Sequence, residues 1–366
     1  MTVKKIACGL AVLAALVTPF AASAEPVYSL AFLPPTVVGP GVIDNQGRIA
    51  VNYQDTRIAQ AGIWSGGSAI TDVGTLGGGI VTVGGISPNG GYVTGYGELG
   101  QSQGYVPHAY LYRNGSIADI GTLGGDRSVG LGVNSLGQVT GVSDIASGGQ
   151  HGFLYANGMM RDLGTLGGNF SEGLGINDAG VVVGRSNLAA GTDSHAFRSC
   201  DCGLVDLGTL PGGNRSQANA INDAGVIAGI SNGAGFEDSD HVFLYADGSM
   251  RDIGSFGGVT FVNDINNLGQ VVGRSNGVAF LYTDGRMIEL TTLLDTPGWT
   301  VDAAFGINDA QQIAAFVSDG QGNFAAVRLG LVSAVPEPQA YALLLAGLAL
   351  LGVHSRRQAR WLPDAC

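Results

Sequence analysis

Lysine is nearly missing from this chain of 366 residues, since Lys4 and Lys5 are the only two. Residues 25–339 therefore carry 12 arginines against 28 acidic residues, a formal charge of −16. A surface this acidic repels phosphate groups, which argues against nucleic acid and anionic lipid as partners. We expect no nucleic-acid partner.

Cysteine is scarce as well. Cys8 and Cys366 lie near the two ends of the chain, so only Cys200 and Cys202 remain in its body. Two cysteines make no disulfide framework, and stability must come from buried apolar surface. The triplet Cys200-Asp201-Cys202 predicts an exposed pair that is either a small-loop disulfide or two thiols.

Helical patterning is also lacking. No stretch between residues 25 and 335 keeps the apolar spacing of a helix together with capping residues at its ends. The body of the chain is therefore predicted to be all-β.

The first 24 residues have the pattern of a secretory signal peptide. Lys4 and Lys5 precede an apolar run, which finishes on Ala22-Ser23-Ala24. We expect signal peptidase to recognise the small residues Ala22 and Ala24 and to cut after Ala24. The alternative is a retained anchor, for which the run is short.

A phrase of the form Asp-hydrophobic-Gly recurs along the body at steps of 37 to 47 residues. Each unit reads as two hairpins, so it contains four strands. The first hairpin turns on Asn-x-x-Gly, because Asn bonds its own backbone and Gly accepts the left-handed conformation. The clearest copies are Asn134 to Gly137, Asn177 to Gly180, Asn222 to Gly225 and Asn266 to Gly269. The copy at Asn308 ends on Gln311, so we expect that turn to be less well formed.

Four-stranded units of this period predict a β-propeller. Residues 28–33 resemble the fourth strand of a unit, whereas the last unit stops after a third strand near Arg328. We therefore expect the 28–33 strand to pair with residues 323–328 and close the ring. The alternative is an open β-solenoid. First-hairpin turns predict seven blades, at 44–47, 87–90, 134–137, 177–180, 222–225, 266–269 and 308–311.

Residues 28 to 330 resemble the HAF-repeat family of extracellular proteins. The resemblance rests on the segments "DLGTLGG" and "GINDAG" and on the tripeptide that begins at His195, with variants that begin at His108, His151 and His241. It implies an exported repeat protein, and we assign residues 25–330 to the propeller. The family is known by its pattern and its export, so the resemblance implies no reaction.

The tail is similar to a PEP-CTERM sorting signal. Residues 331–339 form a linker with Val335, Pro336, Glu337 and Pro338, and residues 340–360 hold an apolar segment followed by Arg356 and Arg357. Such tails occur on exported proteins of Gram-negative bacteria that make exopolysaccharide, and some have been labelled ice-binding protein C-terminal segments. The resemblance implies that residues 340–360 form a short apolar sorting helix that spans the inner membrane transiently and that a membrane protease then releases the body. The alternatives are a retained tail and a soluble apolar tail.

The four repeat histidines begin the third strands of their units. Histidines in one layer are potential metal ligands, but equivalent positions in neighbouring blades lie a blade apart, which favours hydrogen bonding at strand edges.

Residues 229–233 and 273–277 match Gly-x-Ser-x-Gly without the helix that a nucleophile elbow needs. The "GTLGG" loops lack the lysine of a phosphate-binding loop. Asp193, Glu237, Asp238 and Asp240 lack the spacing of a calcium loop.

The sequence therefore predicts no catalytic residue, cofactor or metal site. The leading hypothesis is a non-catalytic surface or matrix protein that binds exopolysaccharide or a surface protein, and the alternative is a secreted propeller enzyme acting on polysaccharide. Binding is expected at loops that vary between repeats and contain Tyr105 and Phe236. These loops are 97–107, 144–150, 187–194 and 232–240.

Overall fold

The computed structural model describes residues 25–54, 59–100, 106–189, 193–234 and 240–332, which form 28 β-strands and a 3₁₀-helix at Leu290–Leu293. Strands β1 to β9 are Tyr28–Phe32, Val37–Ile43, Ile49–Gln54, Ala59–Trp64, Ile70–Asp72, Gly77–Ile86, Tyr92–Leu99, Pro107–Arg113 and Ser116–Asp119. Strands β10 to β17 are Gly124–Val133, Val139–Ile145, Gln150–Ala156, Met159–Asp162, Gly167–Ile176, Val182–Leu188, Ser194–Cys200 and Gly203–Asp206. Strands β18 to β28 are Ser216–Ile221, Ile227–Ser231, His241–Ala246, Ser249–Gly254, Thr260–Ile265, Val271–Ser275, Val278–Thr283, Arg286–Glu289, Thr300–Ile307, Ile313–Ser318 and Phe324–Leu331.

The strands pair mostly with their neighbours in the chain. Four-stranded antiparallel sheets are formed by β2–β5, β6–β9, β18–β21 and β22–β25, and an eight-stranded sheet by β10–β17. The eight-stranded sheet has two halves, β10–β13 and β14–β17, which a single parallel pair, Gln150 with Phe170, joins. The fold is thus all-β and propeller-like, as the repeat predicts.

The last sheet contains strands from both ends of the described chain. Its order is β26-β27-β28-β1, and Tyr28 pairs with Leu331 while Phe32 pairs with Val327. The predicted pairing of the two ends is therefore present, although the partner segment lies at 327–331 and extends past the predicted 323–328. This N-terminal strand covers an edge of β28 that would otherwise be open.

Apolar side chains are buried between neighbouring sheets. One cluster joins the sheet of β18–β21 to that of β22–β25, and another places Ala314 and Ala326 of the last sheet against Val37 and Ile49 of the first. Because the last sheet packs on the first, the sheets close a ring, and an open stack of units is wrong. Each sheet buries its faces against its neighbours, which explains why a single unit would be unstable alone.

The strand register explains why a phenylalanine and a glycine recur in the repeat. The phenylalanine of the third strand pairs with a glycine of the second strand, as in Phe197 with Gly184 and Phe243 with Gly229. Both aromatic rings are fully buried, and a β-carbon on Gly229 would overlap the ring of Phe243. Glycine is therefore required there by close packing.

Candidate functional site

The first-hairpin turns meet around the axis of the ring, where side-chain amides link each unit to the next. Asn177 Nδ2 donates to the carbonyl oxygen of Asn222 at 3.1 Å. The equivalent bonds run from Asn134 to Asn177 (2.9 Å), from Asn222 to Asn266 (3.1 Å), from Asn266 to Asn308 (3.0 Å) and from Asn308 to Asp44 (2.8 Å). These asparagines are buried, so the bonds are shielded from water. The last of them closes the ring between the two ends of the propeller-like body.

The turn geometry positions these asparagines. Gly137, Gly180, Gly225 and Gly269 all have φ between 75° and 80°, the left-handed conformation that the sequence predicts. Gln311 adopts φ 61° at the same position, and the Gln311 N–H still donates to the Asn308 carbonyl at 2.9 Å. The expectation of a less well formed turn is therefore wrong for its hydrogen bonds, although the left-handed backbone still disfavours a glutamine.

A second ring of hydrogen bonds lies one residue further along each turn. The Asp178 N–H donates to Asp223 Oδ1 at 3.0 Å, and the Asp223 N–H donates to Asn267 Oδ1 at 2.9 Å. The series continues from Asn267 to Asp309 at 2.8 Å and from Asp309 to Asn45 at 3.0 Å. The acidic residues of this ring are thus acceptors for the backbone of the neighbouring unit.

A cavity of about 150 Å³ lies on the axis and is lined by residues of both rings. Asp264 lines it at a position where the neighbouring unit has Gly306, and its carboxylate accepts hydrogen bonds from the Ile307 and Ile265 N–H groups at 2.9 and 2.8 Å. Burial raises the pKa of Asp264 to about 7, the charge of Asp309 acts in the same direction, and the two N–H donors oppose the rise.

Asp264 is the carboxylate that sequence reasoning missed. Its signal was available, because "NDINN" places an acid where the first unit has Val42 and the other five units have glycine or alanine. Asn219 also lines the cavity, and its Oδ1 is buried without a hydrogen-bond partner. The cavity therefore combines apolar and polar side chains, and among its carboxyl groups the pKa of Asp264 suits proton transfer near neutral pH.

The repeat histidines lie far from the axis, at the start of β8, β12, β16 and β20. Each Nδ1 contacts the aspartate of the Asp-hydrophobic-Gly phrase, eleven residues further on. The pairs are His108 with Asp119 (2.9 Å), His151 with Asp162 (2.9 Å), His195 with Asp206 (2.9 Å) and His241 with Asp252 (3.0 Å). The structure thus places all four in hydrogen bonds that join third and fourth strands. Within the described ranges, no three His, Cys, Asp or Glu side chains are grouped to hold a metal ion.

The two serines of the Gly-x-Ser-x-Gly matches are buried. Ser231 Oγ accepts the Leu210 N–H at 2.9 Å, and Ser275 Oγ accepts the Phe256 N–H at 2.9 Å. Each lies at the end of a second strand, with no helix following. The hydroxyl oxygens accept hydrogen bonds from the backbone of the preceding loop and are not placed as nucleophiles.

The variable loops join second to third strands and are described in part. Tyr105, Glu237, Asp238 and Phe236 lie outside the described residues. Asp193 Oδ1 accepts from Asn214 Nδ2 at 3.2 Å, and Asp240 forms an ion pair with Arg215 at 3.1 Å. Two of the four acids considered for calcium thus pair with side chains at the start of the next unit.

The processing residues also lie outside the described part of the chain. They are Ala22, Ala24, Val335, Pro336, Glu337, Pro338, Arg356 and Arg357. Among the described residues, no helix has the length and apolar character to cross a membrane.

Three solved structures resemble this chain in fold. An oligogalacturonate lyase in complex with manganese has a TM-score of 0.54 at 9% identity, over 85% of this chain and 97% of that one. A puromycin hydrolase S511A mutant has a TM-score of 0.50 at 12% identity, over 79% of this chain and 51% of that one. A puromycin-hydrolyzing peptidase from Mycobacterium tuberculosis has a TM-score of 0.50 at 10% identity, over 85% and 54%. This chain thus spans about half of the two hydrolases, and these identities show a shared fold alone.

Sequence comparison adds one match, and it concerns the tail. No curated protein matches the chain. Residues 334–358 match the PEP-CTERM protein-sorting motif, which agrees with the tail resemblance drawn from Pro336 to Arg357. The motif indicates an exported protein, sorted through the exosortase system across the envelope to the surface of a Gram-negative bacterium.

Proposed function

We propose that this protein is a non-catalytic, seven-bladed β-propeller of HAF-type repeats that binds glycan or a surface protein in the extracellular matrix. Signal peptidase removes residues 1–24, and an exosortase-type membrane protease cuts near Val335 to Pro338, so the body is released from the inner membrane. Export is supported by the sorting motif at residues 334–358. The propeller assignment is supported by the ring of antiparallel sheets and its closure by β1.

One observation carries the non-catalytic part of the proposal: the repeat carboxylates are committed to structural hydrogen bonds. Asp162 contacts His151 Nδ1 at 2.9 Å and also accepts a hydrogen bond from the Gly164 N–H at 2.7 Å. Asp223 accepts the Asp178 N–H at 3.0 Å on the axial ring. Glycosidic chemistry instead needs two carboxyl groups that face one substrate-sized opening. Acids that recur at the same position in several units and bond to the scaffold are explained by folding alone.

The proposed binding surface consists of four loops between second and third strands, namely 97–107, 144–150, 187–194 and 232–240. The connections between second and third strands vary in length, from two residues between β23 and β24 to nine between β19 and β20. The strands that flank them keep a constant register, with Ser231 paired to His241 and Ser275 paired to Val278. Variable loops on a rigid scaffold are where recognition usually occurs, and aromatic and amide side chains suit sugar rings and hydroxyls.

The constant register makes a loop graft feasible. Replacing residues 232–240 with the Asn-Gly turn of residues 276–277 should preserve folding, since both loops leave from a paired serine. We expect this variant to lose at least ten-fold in affinity for the exopolysaccharide of the producing cell, measured by co-sedimentation.

The matched control replaces residues 319–323, the equivalent loop of the last sheet, with the same Asn-Gly turn. Its flanking residues, Ser318 and Phe324, are also paired. We expect the control to bind like the parent protein. Equal binding by the two grafts and the parent, extended to loops 97–107, 144–150 and 187–194, would rule out this surface.

The second candidate function is a secreted enzyme that acts on polysaccharide, and Asp264 is the observation in its favour. Its carboxyl breaks the repeat, lines the axial cavity and has a pKa of about 7, close to what a general acid requires. Release of reducing ends from exopolysaccharide that Asp264→Asn abolishes would establish the enzyme and overturn the non-catalytic proposal. No release by the parent protein, together with binding that the loop graft lowers, is the result we expect.

A further inference from the structure

The hairpin between β16 and β17 is closed by a disulfide between Cys200 and Cys202. Of the two forms that the sequence allows, the structure has the oxidised one. The Cα atoms are 5.2 Å apart and the residues are separated by two positions. The hairpin lies at the outer edge of its sheet, because β17 pairs with β16 alone.

Folding does not account for this disulfide. The equivalent hairpins of other units turn on pairs with left-handed backbone, such as Asn157-Gly158 and Asp247-Gly248, without any cysteine. A disulfide between residues two positions apart closes a very short loop, so it removes little conformational entropy from the unfolded chain. The repeat can therefore form this turn without sulfur, and the two cysteines call for another explanation.

The two sulfurs are not equivalent. Cys202 and Asp201 are exposed, whereas Cys200 is half-buried. The Cys202 N–H donates to Cys200 Sγ at 3.3 Å. A hydrogen bond to sulfur stabilises the negative charge of a departing thiolate, and the accessible sulfur is the one that an incoming thiolate reaches. Attack is therefore expected at Cys202, with Cys200 as the leaving group.

We propose that Cys200 and Cys202 form a thiol–disulfide exchange site that oxidises cysteine pairs of other exported proteins. A thiolate of the partner forms a bond to Cys202 Sγ, the Cys202–Cys200 bond breaks, and Cys200 leaves as a thiolate. The second thiolate of the partner then attacks the partner sulfur of the mixed disulfide and releases Cys202. Two electrons pass from the partner dithiol to this protein, and its two thiolates take up the two protons that the partner thiols lose.

The sorting motif is consistent with this chemistry, because exported proteins meet an oxidising environment in which disulfides persist. The activity is independent of the glycan-binding proposal, since the β16–β17 hairpin joins third and fourth strands and none of the four variable loops contains it. Either proposal can therefore fail without the other.

The test uses the mature protein with reduced glutathione as the attacking thiol, followed by acid quenching and peptide mass spectrometry, which assigns each adduct to Cys200 or Cys202. We expect the glutathione adduct on Cys202 to exceed that on Cys200 at least ten-fold. With dithiothreitol in place of glutathione, we expect both cysteines to become free within minutes while the melting temperature stays unchanged. Adducts spread evenly over the two sulfurs, or a pair that resists dithiothreitol in the folded protein, would overturn the proposal.

Two variants separate exchange from a structural role. Replacing both cysteines by serine should leave the melting temperature unchanged and abolish the oxidation of a dithiol peptide, whereas a fall of several degrees would assign the disulfide to stability. Asp201→Asn removes the negative charge between the sulfurs, so it should favour departure of the Cys200 thiolate and speed reduction about two- to three-fold. A slower reaction in that variant would contradict the proposed leaving group.

Discussion

The axial asparagine ring predicts a large effect from a change of one atom. In Asn222→Asp, the side-chain nitrogen that donates to the Asn266 carbonyl becomes an oxygen, while Oδ1 still accepts the Val226 N–H, now 2.9 Å away. The lost hydrogen bond costs about 1 kcal/mol, and a buried oxygen that faces a carbonyl without a donor costs about 1–3 kcal/mol more. We therefore expect the free energy of unfolding to fall by about 2–4 kcal/mol.

Urea unfolding followed by intrinsic fluorescence measures this change through the midpoint and the slope. The first unit supplies a rescue, because it holds an aspartate at the equivalent position, Asp44, whose carboxylate pairs with Arg48 at 2.7 Å. The double variant Asn222→Asp, Val226→Arg recreates that spacing of four residues and should recover about half of the loss. A single variant within about 0.5 kcal/mol of the parent would refute the view that these bonds hold the units together.

Four further predictions concern the turns, the cavity and the chain ends. Gly225→Val should lower the free energy of unfolding by about 1–2 kcal/mol in urea melts, because φ is 80° and no neighbouring atom would meet the added carbon. Gln311→Gly should leave it nearly unchanged, since relief of the left-handed backbone is offset by the lost hydrogen bond from Gln270. The folded-state pKa of Asp264 is raised, so its contribution to the free energy of unfolding falls as pH rises from about 4 to about 7. The fall is at most about 1.4 kcal/mol per pH unit. Asp264→Asn should therefore flatten that part of the parent's pH–stability curve. Mass spectrometry of surface material should find a mature N-terminus at Glu25 and no peptide from residues 348–356; recovery of those peptides would indicate a retained tail.

Much of the fold could be predicted because each unit repeats the residues that form its turns. The Asn-x-x-Gly turns and the Asn-Gly turns place the strand ends, and the phase of residues 28–33 predicts the closing strand. The histidine–aspartate pairs were also present as a constant spacing of eleven residues, although the pairing of two strands was needed to see them. These features are local or periodic, so sequence alone carries them.

The axial site could not be predicted in the same way. The bonds of the two rings connect residues 42 to 45 positions apart within the chain and 264 apart at its closure, so they exist only once the units are side by side. The pKa of Asp264 depends on a cavity that several units build together. A residue that breaks the repeat can be recognised in the sequence, but its burial and its hydrogen-bond partners cannot.

The shared sheet of β1 and β28 has a consequence for the order in which the body completes its folding. The Val332 N–H donates to the Val27 carbonyl at 2.7 Å, so Val27 lies beside the segment that leads into the sorting motif at residues 334–358. β28 can pair with β27, but β1 has no partner strand until β28, the last strand of the described chain, is in place. Completion of this sheet therefore requires the whole body of the chain, and the sorting motif follows directly after a domain that only then has all its strands paired.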